Sequence, residues 1–189
     1  LSDKLNELHK KEIDIEKELT QFQNYKAILT TSGDILNELI SKILNEYFLI
    51  SIDSSDNKKE DIKILNEKDD IIAFVEVKGT KRGVKREYID QADSHRERAG
   101  VTNETPGILI INNEMSIEGI ENRKEAVIAK EQIIHATNRN VLIIRTIDLL
   151  NLMLLLEKDQ DRKSRFLSIV LNNSGWLKVE SNKYDIIKK

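Results

Sequence analysis

Two carboxylates and one lysine, close together in a predicted β-hairpin, are the side chains of this sequence best placed to do chemistry. Residues 61–66 and 71–78 are rich in Ile and Val and flank a polar turn, which predicts two antiparallel strands. Pairing across this hairpin places Asp61 opposite Glu76. Because side chains alternate along a strand, Glu76 and Lys78 share one face. The three charged groups are therefore expected to converge at the open end of the hairpin.

The apolar residues of the hairpin support this register. With a two-residue turn at residues 68–69, three apolar pairs face each other: Ile62 with Val75, Ile64 with Ala73, and Leu65 with Ile72. Apolar side chains that meet in pairs are expected of a hairpin with one buried face.

Carboxylates held close together repel each other, and the repulsion favours a cation between them. Hard oxygen ligands suit Mg²⁺ or Mn²⁺, and such a metal polarises a phosphoryl oxygen and lowers the pKa of a bound water. A neighbouring lysine can orient that water or stabilise charge on the attacked phosphate. The alternative is a surface hairpin that pairs acid with base, since Glu-x-Lys alone is a common sequence.

The arrangement resembles the PD-(D/E)xK phosphodiesterases, the restriction-endonuclease-like nucleases. Asp61 matches the acidic residue that begins one strand of that family, and Glu76-Val77-Lys78 matches the motif on the next strand. Glu60 stands where the family has proline. Many members carry a glutamate on the preceding helix, which Glu38 would supply. Some carry a glutamine on the following helix, where Gln91 would be a secondary orienting group.

The resemblance covers roughly residues 33–150 and implies a metal-dependent nuclease. Asp61 and Glu76 would hold Mg²⁺ (or Mn²⁺), with help from Glu38 and the backbone carbonyl of Val77. Lys78 would position or activate the attacking water. The reaction implied is hydrolysis of phosphodiester bonds in duplex DNA, in restriction or defence against foreign DNA. Two hypotheses stay open beside it: an inactive scaffold of the same fold that binds DNA or a partner, and an RNA nuclease.

A basic segment follows the predicted site directly. Lys78, Lys81, Arg82, Lys85 and Arg86 place five positive charges within nine residues. Such a cluster can contact phosphates, although the net charge of −3 gives the whole chain no basic field. A solvated loop explains the same residues equally well.

The helix predicted over residues 86–99 carries Gln91 and His95. These two residues are four apart, so they share one face of the helix. A lone histidine on a helix is more often a surface residue, and the sequence predicts no role in the site for His95.

The N-terminal residues 1–29 have the spacing of a coiled coil. Apolar residues recur in alternating steps of four and three over about four heptads, with Glu12 and Lys26 at two of the same positions. The apolar members of this seam are Leu1, Leu5, Leu8, Ile15, Leu19, Phe22 and Leu29. The pattern favours a homodimer or higher oligomer. An amphipathic helix on the chain's own core, or one paired with an upstream segment, would show it too.

The second half of the chain alternates helical patterns with continuous apolar runs. Strands are predicted at residues 107–112 and 140–145, and helices at 86–99, 117–136 and 146–157. Together with the hairpin, this alternation predicts an α/β fold with a mixed central sheet flanked by helices. Three regions are expected: the coiled-coil-like helix at 1–30, a restriction-endonuclease-like core at 31–158, and a helical and short-strand tail at 159–189.

Composition excludes several other classes. The chain has no cysteine, so it has no thiolate metal site. It lacks a Walker-type phosphate loop, a Gly-x-Gly-x-x-Gly fingerprint and a Gly-x-Ser-x-Gly elbow. Its most apolar run, residues 152–156, is too short to span a bilayer. A cytoplasmic protein without membrane contact is expected. Because the sequence starts at Leu1 and not Met, it is expected to belong to a longer chain with upstream domains.

Overall fold

One mixed β-sheet with helices on both faces organises the molecule. The computed structural model describes residues 2–54 and 61–189, and for Ser2, Asp3, Glu18 and Asp61 it describes the backbone only. In these ranges the sheet has its strands in chain order: β1 (Ile52–Asp53), β2 (Asp61–Leu65), β3 (Ile71–Gly79), β4 (Gly107–Asn112), β5 (Val141–Arg145), β6 (Gly175–Val179) and β7 (Tyr184–Ile187). The strands from β3 to β6 are parallel, and the strands at both edges pair antiparallel. The predicted α/β class is confirmed.

The helices alternate with the parallel strands, as the sequence pattern predicts. They are α1 (Ser2–Tyr25), α2 (Gly33–Lys42), α3 (Arg86–Ala99), α4 (Ile120–Lys124), α5 (Lys130–Asn138), α6 (Thr146–Leu155) and α7 (Arg162–Leu171). A 3₁₀ turn at Lys26–Leu29 extends α1, and a π-helical turn at Ile43–Tyr47 extends α2. Residues 117–136, which the sequence predicts to be mostly helical, form the two helices α4 and α5 with a short connection between them.

The hairpin of β2 and β3 has the predicted pairing at its open end. Asp61 is opposite Glu76, and the Ile62–Val75 and Ile64–Ala73 pairs also form. Closer to the turn, Leu65 faces Ile71 and not Ile72, because the register shifts after Ile64.

The side chain of Asn66 explains this shift. Its Oδ1 accepts hydrogen bonds from the backbone N–H groups of Lys68 at 2.8 Å and Asp70 at 2.9 Å. Asp69 adopts a positive φ of 61°, which Asp tolerates better than most residues. The turn is therefore longer than two residues, and the extra length is absorbed next to the turn and not at the open end.

The two faces of the sheet carry different residues. Ala73, Val75 and Val77 of β3 belong to a large apolar cluster with α2, α6 and α7. Glu76 and Lys78 alternate with them and face the opposite side, where α3 and α5 pack through a smaller apolar cluster. The charged side chains of β3 therefore lie between the sheet and α3.

The C-terminal residues, which were expected as a tail, continue this core. In the described structure, β6 pairs in parallel with β5. The ring of Phe166 in α7 packs 4.1 Å from that of Phe48, measured between centroids. Trp176 in β6 is 2% exposed. Residues 159–189 thus share the sheet and the apolar cluster of the central region.

The connection before α2 lies close against the end of β3. Asn112, at the end of β4, donates a hydrogen bond to the carbonyl of Thr31 at 2.8 Å. A Cβ added to Gly79 would lie 2.4 Å from the Cβ of Ser32. Only glycine fits at the last position of β3, because the backbone of the α2 connection occupies the space of a side chain.

Within the described ranges, no helix combines the length and the apolar character that crossing a membrane requires.

We expect Gly79→Ala to destabilise the fold by about 1–3 kcal/mol, because the new methyl group overlaps Ser32. The matched control is Gly83→Ala, whose added Cβ would meet only the carboxylate end of Glu114, at 3.0 Å. That carboxylate can rotate away from the new methyl group. Urea denaturation compares the two variants. Equal unfolding midpoints would show that the approach of Ser32 to Gly79 does not exclude a side chain at residue 79.

Candidate active site

Glu76 is a carboxylate buried in the middle of β3. It is 2% exposed, and a buried carboxylate is tolerated only when donors satisfy its oxygens. Its Oε1 lies 2.9 Å from Nζ of Lys78. Its Oε2 is hydrogen-bonded to Nε2 of His95. Each oxygen of the carboxylate therefore has a partner.

Lys78 occupies the position predicted for it, on the same face of β3 as Glu76. Its side chain is 22% exposed, whereas that of Glu76 is 3% exposed. The ammonium group thus lies between the buried carboxylate and the solvent. A cation in this position can contact a ligand that approaches from outside.

Asp61 begins β2 directly opposite Glu76, as the sequence predicts. Directly opposite residues of an antiparallel pair have Cβ atoms about 4.5–5.5 Å apart and on the same face. The Asp61 side chain itself lies outside the described part of the structure. The described backbone brings Asp61, Glu76 and Lys78 to one end of the hairpin.

His95 joins this group, although sequence reasoning assigned it no role. It is 7% exposed, and its ring lies between Glu76 and Arg98, whose guanidinium contacts Nδ1 of His95. A signal for this burial was present in the sequence. Ile89 and Ala92 are the buried apolar residues of α3, and the same helical step of three residues leads from Ala92 to His95.

Gln91 and Glu38 do not meet Glu76 among the described contacts. Gln91 is exposed on α3, and its backbone carbonyl accepts a hydrogen bond from Oγ of Ser94 at 2.8 Å. Glu38 is exposed on α2, which packs on the other face of the sheet. The reason is the same for both, since the apolar residues of each helix point to the sheet and turn these side chains outward.

Buried charges hold α3 against the sheet. The Arg96 side chain is 1% exposed, and its guanidinium pairs with Asp93 at 2.5 Å. The same group donates to the carbonyl oxygens of Thr105 at 2.9 Å and Arg139 at 2.5 Å. Arg139 in turn pairs with Asp93 at 2.6 Å. This network fixes the position of the helix that carries His95.

The basic segment after β3 is held by the loop after β4. The backbone N–H of Glu114 donates to the carbonyl of Arg82 at 3.1 Å, and that of Ser116 donates to the carbonyl of Lys81 at 3.3 Å. The side chains predicted to contact nucleic acid are exposed: Lys81, Arg82, Lys85 and Arg86. The hydrogen bond that Lys85 donates to Glu87 raises the pKa of Lys85. Lys85 therefore keeps its charge, and this charge is paired within the chain. The segment lies at the carboxyl end of a parallel strand, where open α/β sheets bind their ligands.

The donor groups of the site suit a hard cation. The Glu76 carboxylate, Asp61 and the carbonyl of Val77 are oxygen ligands of the kind that Mg²⁺ and Mn²⁺ prefer. Within the part of the chain whose side chains are described, which excludes Asp61, no cluster of three or more acidic, His or Cys residues forms. Lys78 and His95 each contact one oxygen of Glu76. An ionised carboxylate offers about four acceptor sites, so a bound cation would share these oxygens with the two donors.

Comparison of the chain with known protein families, with curated proteins and with solved structures finds no match. The likeness to PD-(D/E)xK nucleases therefore stays a resemblance carried by Asp61, Glu76 and Lys78. The function of the chain has to be inferred from the chemistry of its site.

Proposed function

We propose that this chain is a metal-dependent nuclease domain that hydrolyses phosphodiester bonds in DNA. The observation that carries the proposal is the buried Glu76 carboxylate beside Lys78, with Asp61 paired opposite Glu76. A carboxylate on each of two neighbouring strands, with a lysine two residues further on, is the set by which the chain resembles the PD-(D/E)xK nucleases.

Each residue of the set has a defined role in this proposal. Asp61 and Glu76, with the carbonyl of Val77, would hold Mg²⁺ or Mn²⁺. The cation, when bound, supplies polarisation of a phosphoryl oxygen and a water of lowered pKa. The ammonium of Lys78, which is partly exposed beside Glu76, orients the attacking water and stabilises negative charge that develops on the phosphate. The contributions of Glu38 and Gln91 stay predictions, and their exposed positions add no support for them.

The basic segment would contact the DNA backbone. Its exposed side chains, at residues 81, 82, 85 and 86, lie just after Lys78, so phosphates bound there would run past the catalytic lysine. Contacts of this kind bind without regard to sequence and weaken as salt rises. By the same resemblance, the biological setting would be restriction or defence against foreign DNA in the cytoplasm.

A second copy of the chain is the proposed partner of α1. The seam residues near its start are largely exposed, with Leu5 at 68%, Leu8 at 56%, Ile15 at 62% and Leu19 at 60%. Further along, Tyr25 and Ile28 are buried in the chain's own core. The helix thus uses its C-terminal part for the domain and leaves its N-terminal seam for association. Two associated copies would supply the two sites that cutting both strands requires.

An inactive scaffold is the competing hypothesis. One observation favours it, namely that Lys78 and His95 satisfy Glu76 without any cation. A scaffold would keep this ion pair for stability and need not bind Mg²⁺.

Plasmid cleavage separates the two hypotheses. We expect the purified chain to cleave supercoiled plasmid with Mg²⁺ or Mn²⁺, and an Asp61→Ala, Glu76→Ala double variant to leave it intact, since both carboxylates are needed to hold the cation. Calorimetric titration with Mn²⁺ accompanies the assay. A wild-type chain that neither cleaves nor binds Mn²⁺ would support the scaffold. Single-stranded RNA as a second substrate tests the RNA nuclease hypothesis.

Lys78→Ala should lower the cleavage rate by about 10²–10³-fold while DNA binding persists, because the lysine stabilises charge that forms during the reaction. Lys78→Met keeps the apolar stem and should be impaired equally. Lys68→Ala, in the exposed hairpin turn, is the control and should cleave like the wild type. Retention of cleavage by both Lys78 variants would remove the lysine from the mechanism.

Replacing seam residues of α1 should weaken self-association. Deletion of residues 1–30 would also remove the buried Tyr25 and Ile28, so we choose a Leu8→Gln, Ile15→Gln double variant. Each fully buried side chain of this size contributes about 1.5–3 kcal/mol, and the variant should therefore be monomeric at concentrations where the wild type is a dimer. Lys10→Gln with Lys17→Gln, off the seam, is the control. An unchanged mass of the seam variant in light scattering would contradict the dimer.

A further inference from the structure

We infer that His95 is a positioning residue that holds the Glu76 carboxylate through its Nε2–H, and that Arg98 fixes the tautomer needed for this. The hydrogen-bond chain stands on its own contacts, whereas its consequence for metal binding rests on the proposed function. The residues that carry the resemblance to the PD-(D/E)xK nucleases do not include His95.

The direction of the hydrogen bonds follows from the donor groups. A guanidinium has only donors, and Arg98 contacts Nδ1 of His95. Nδ1 must therefore accept, so the hydrogen of the neutral ring is on Nε2. Nε2 is the atom that contacts Oε2 of Glu76. The chain runs in one direction, from Arg98 through His95 to Glu76.

The surroundings keep the ring in place. The side chains of His95 and Glu76 are 7% and 3% exposed, so water does not compete readily for their hydrogen bond. The next residue along α3 is Arg96, whose buried guanidinium reaches the carbonyl oxygens of Thr105 and Arg139. Because α3 is anchored there, His95 cannot move away from β3 without breaking this network.

The effect on Glu76 is to fix both carboxylate oxygens. Nε2 of His95 donates to Oε2 from α3, and Nζ of Lys78 donates to Oε1 from the same strand. A carboxylate held at both oxygens cannot rotate about its terminal bond. The group is thus oriented before any cation arrives.

The same tautomer argues against a direct metal contact by His95. A histidine that binds a metal through Nε2 needs a lone pair on that atom and usually donates its Nδ1–H to a carboxylate or carbonyl. Here Nδ1 faces a guanidinium, which cannot accept a hydrogen bond. His95 therefore acts on the cation through Glu76 and is not itself a metal ligand.

A nitrogen spectrum of the imidazole rings tests the tautomer without any activity. The ¹⁵N-labelled chain has three histidines, and the signals of His95 are those lost in His95→Gln. We expect long-range ¹H–¹⁵N correlations of the wild type to show Nε2 protonated and Nδ1 unprotonated. Arg98→Met should mix the two tautomers, and Arg165→Met, on the remote helix α7, should not. A His95 ring protonated at Nδ1 in the wild type would overturn the inference.

Metal binding tests the consequence for Glu76. Loss of a residue that orients a metal ligand costs about 10–100-fold in metal affinity, and we expect this loss for Mn²⁺ in calorimetry of His95→Ala. His95→Gln keeps an N–H donor of similar reach and should recover most of the affinity. Circular dichroism and urea denaturation confirm that the variants are folded. Wild-type affinity in a folded His95→Ala, or equal losses in both variants, would contradict the positioning role.

The nitrogen spectrum and the Mn²⁺ titration separate the role of His95 from the proposed function. A wild-type chain that binds no Mn²⁺ overturns the nuclease proposal, while the ring spectrum still decides whether Arg98 and His95 hold Glu76. If the chain binds Mn²⁺ and cleaves DNA but His95 has the other tautomer, the nuclease proposal stands. The positioning role of His95 is then contradicted.

Discussion

The whole structure is arranged around a carboxylate that is buried within a β-sheet. Glu76 has almost no contact with solvent, and leaving such a charge without partners costs of the order of several kcal/mol. Lys78 supplies a donor from the same strand, so it is present whenever β3 forms. His95 supplies the other donor from α3, so the carboxylate is satisfied only after that helix has docked. Formation of the site and completion of this face of the sheet are therefore one event.

The two faces of the sheet have different physical roles. On the face of α2, α6 and α7, a continuous apolar cluster contributes most of the hydrophobic burial. On the other face the apolar cluster is smaller, and the ion pairs of Asp93 with the buried Arg96 and the partly exposed Arg139 help to hold α3. Such pairs are sensitive to geometry, which keeps α3 in one position. A site that needs its groups within a few tenths of an ångström is better placed beside such a network than beside an adaptable apolar surface.

The local pattern of apolar and polar residues was sufficient to predict much of the fold. The bounds of α3 and β4 were predicted as the structure has them, because each is a run of one periodicity that ends at a change of composition. The pairing of Asp61 with Glu76 was also predicted, since apolar residues define the register. The register shift near the turn was not predicted, because it depends on the hydrogen bonds of a single side chain, that of Asn66. Strand β7 was missed, as its four residues are too few to show a pattern.

The sequence by itself determined which residues of β2 and β3 face each other at the open end of the hairpin and which of them carry charge, because strand alternation and apolar pairing are local properties. Only the tertiary structure decided what approaches that charge from outside the hairpin. Gln91 and His95 lie one helical turn apart on α3, and the packing of Ile89 and Ala92 buries the histidine and exposes the glutamine. Glu38 is exposed on α2, which packs on the opposite face of the sheet, and its role in the site stays a prediction. Contacts between distant segments depend on how whole helices rotate and dock, and no short stretch of sequence contains that information.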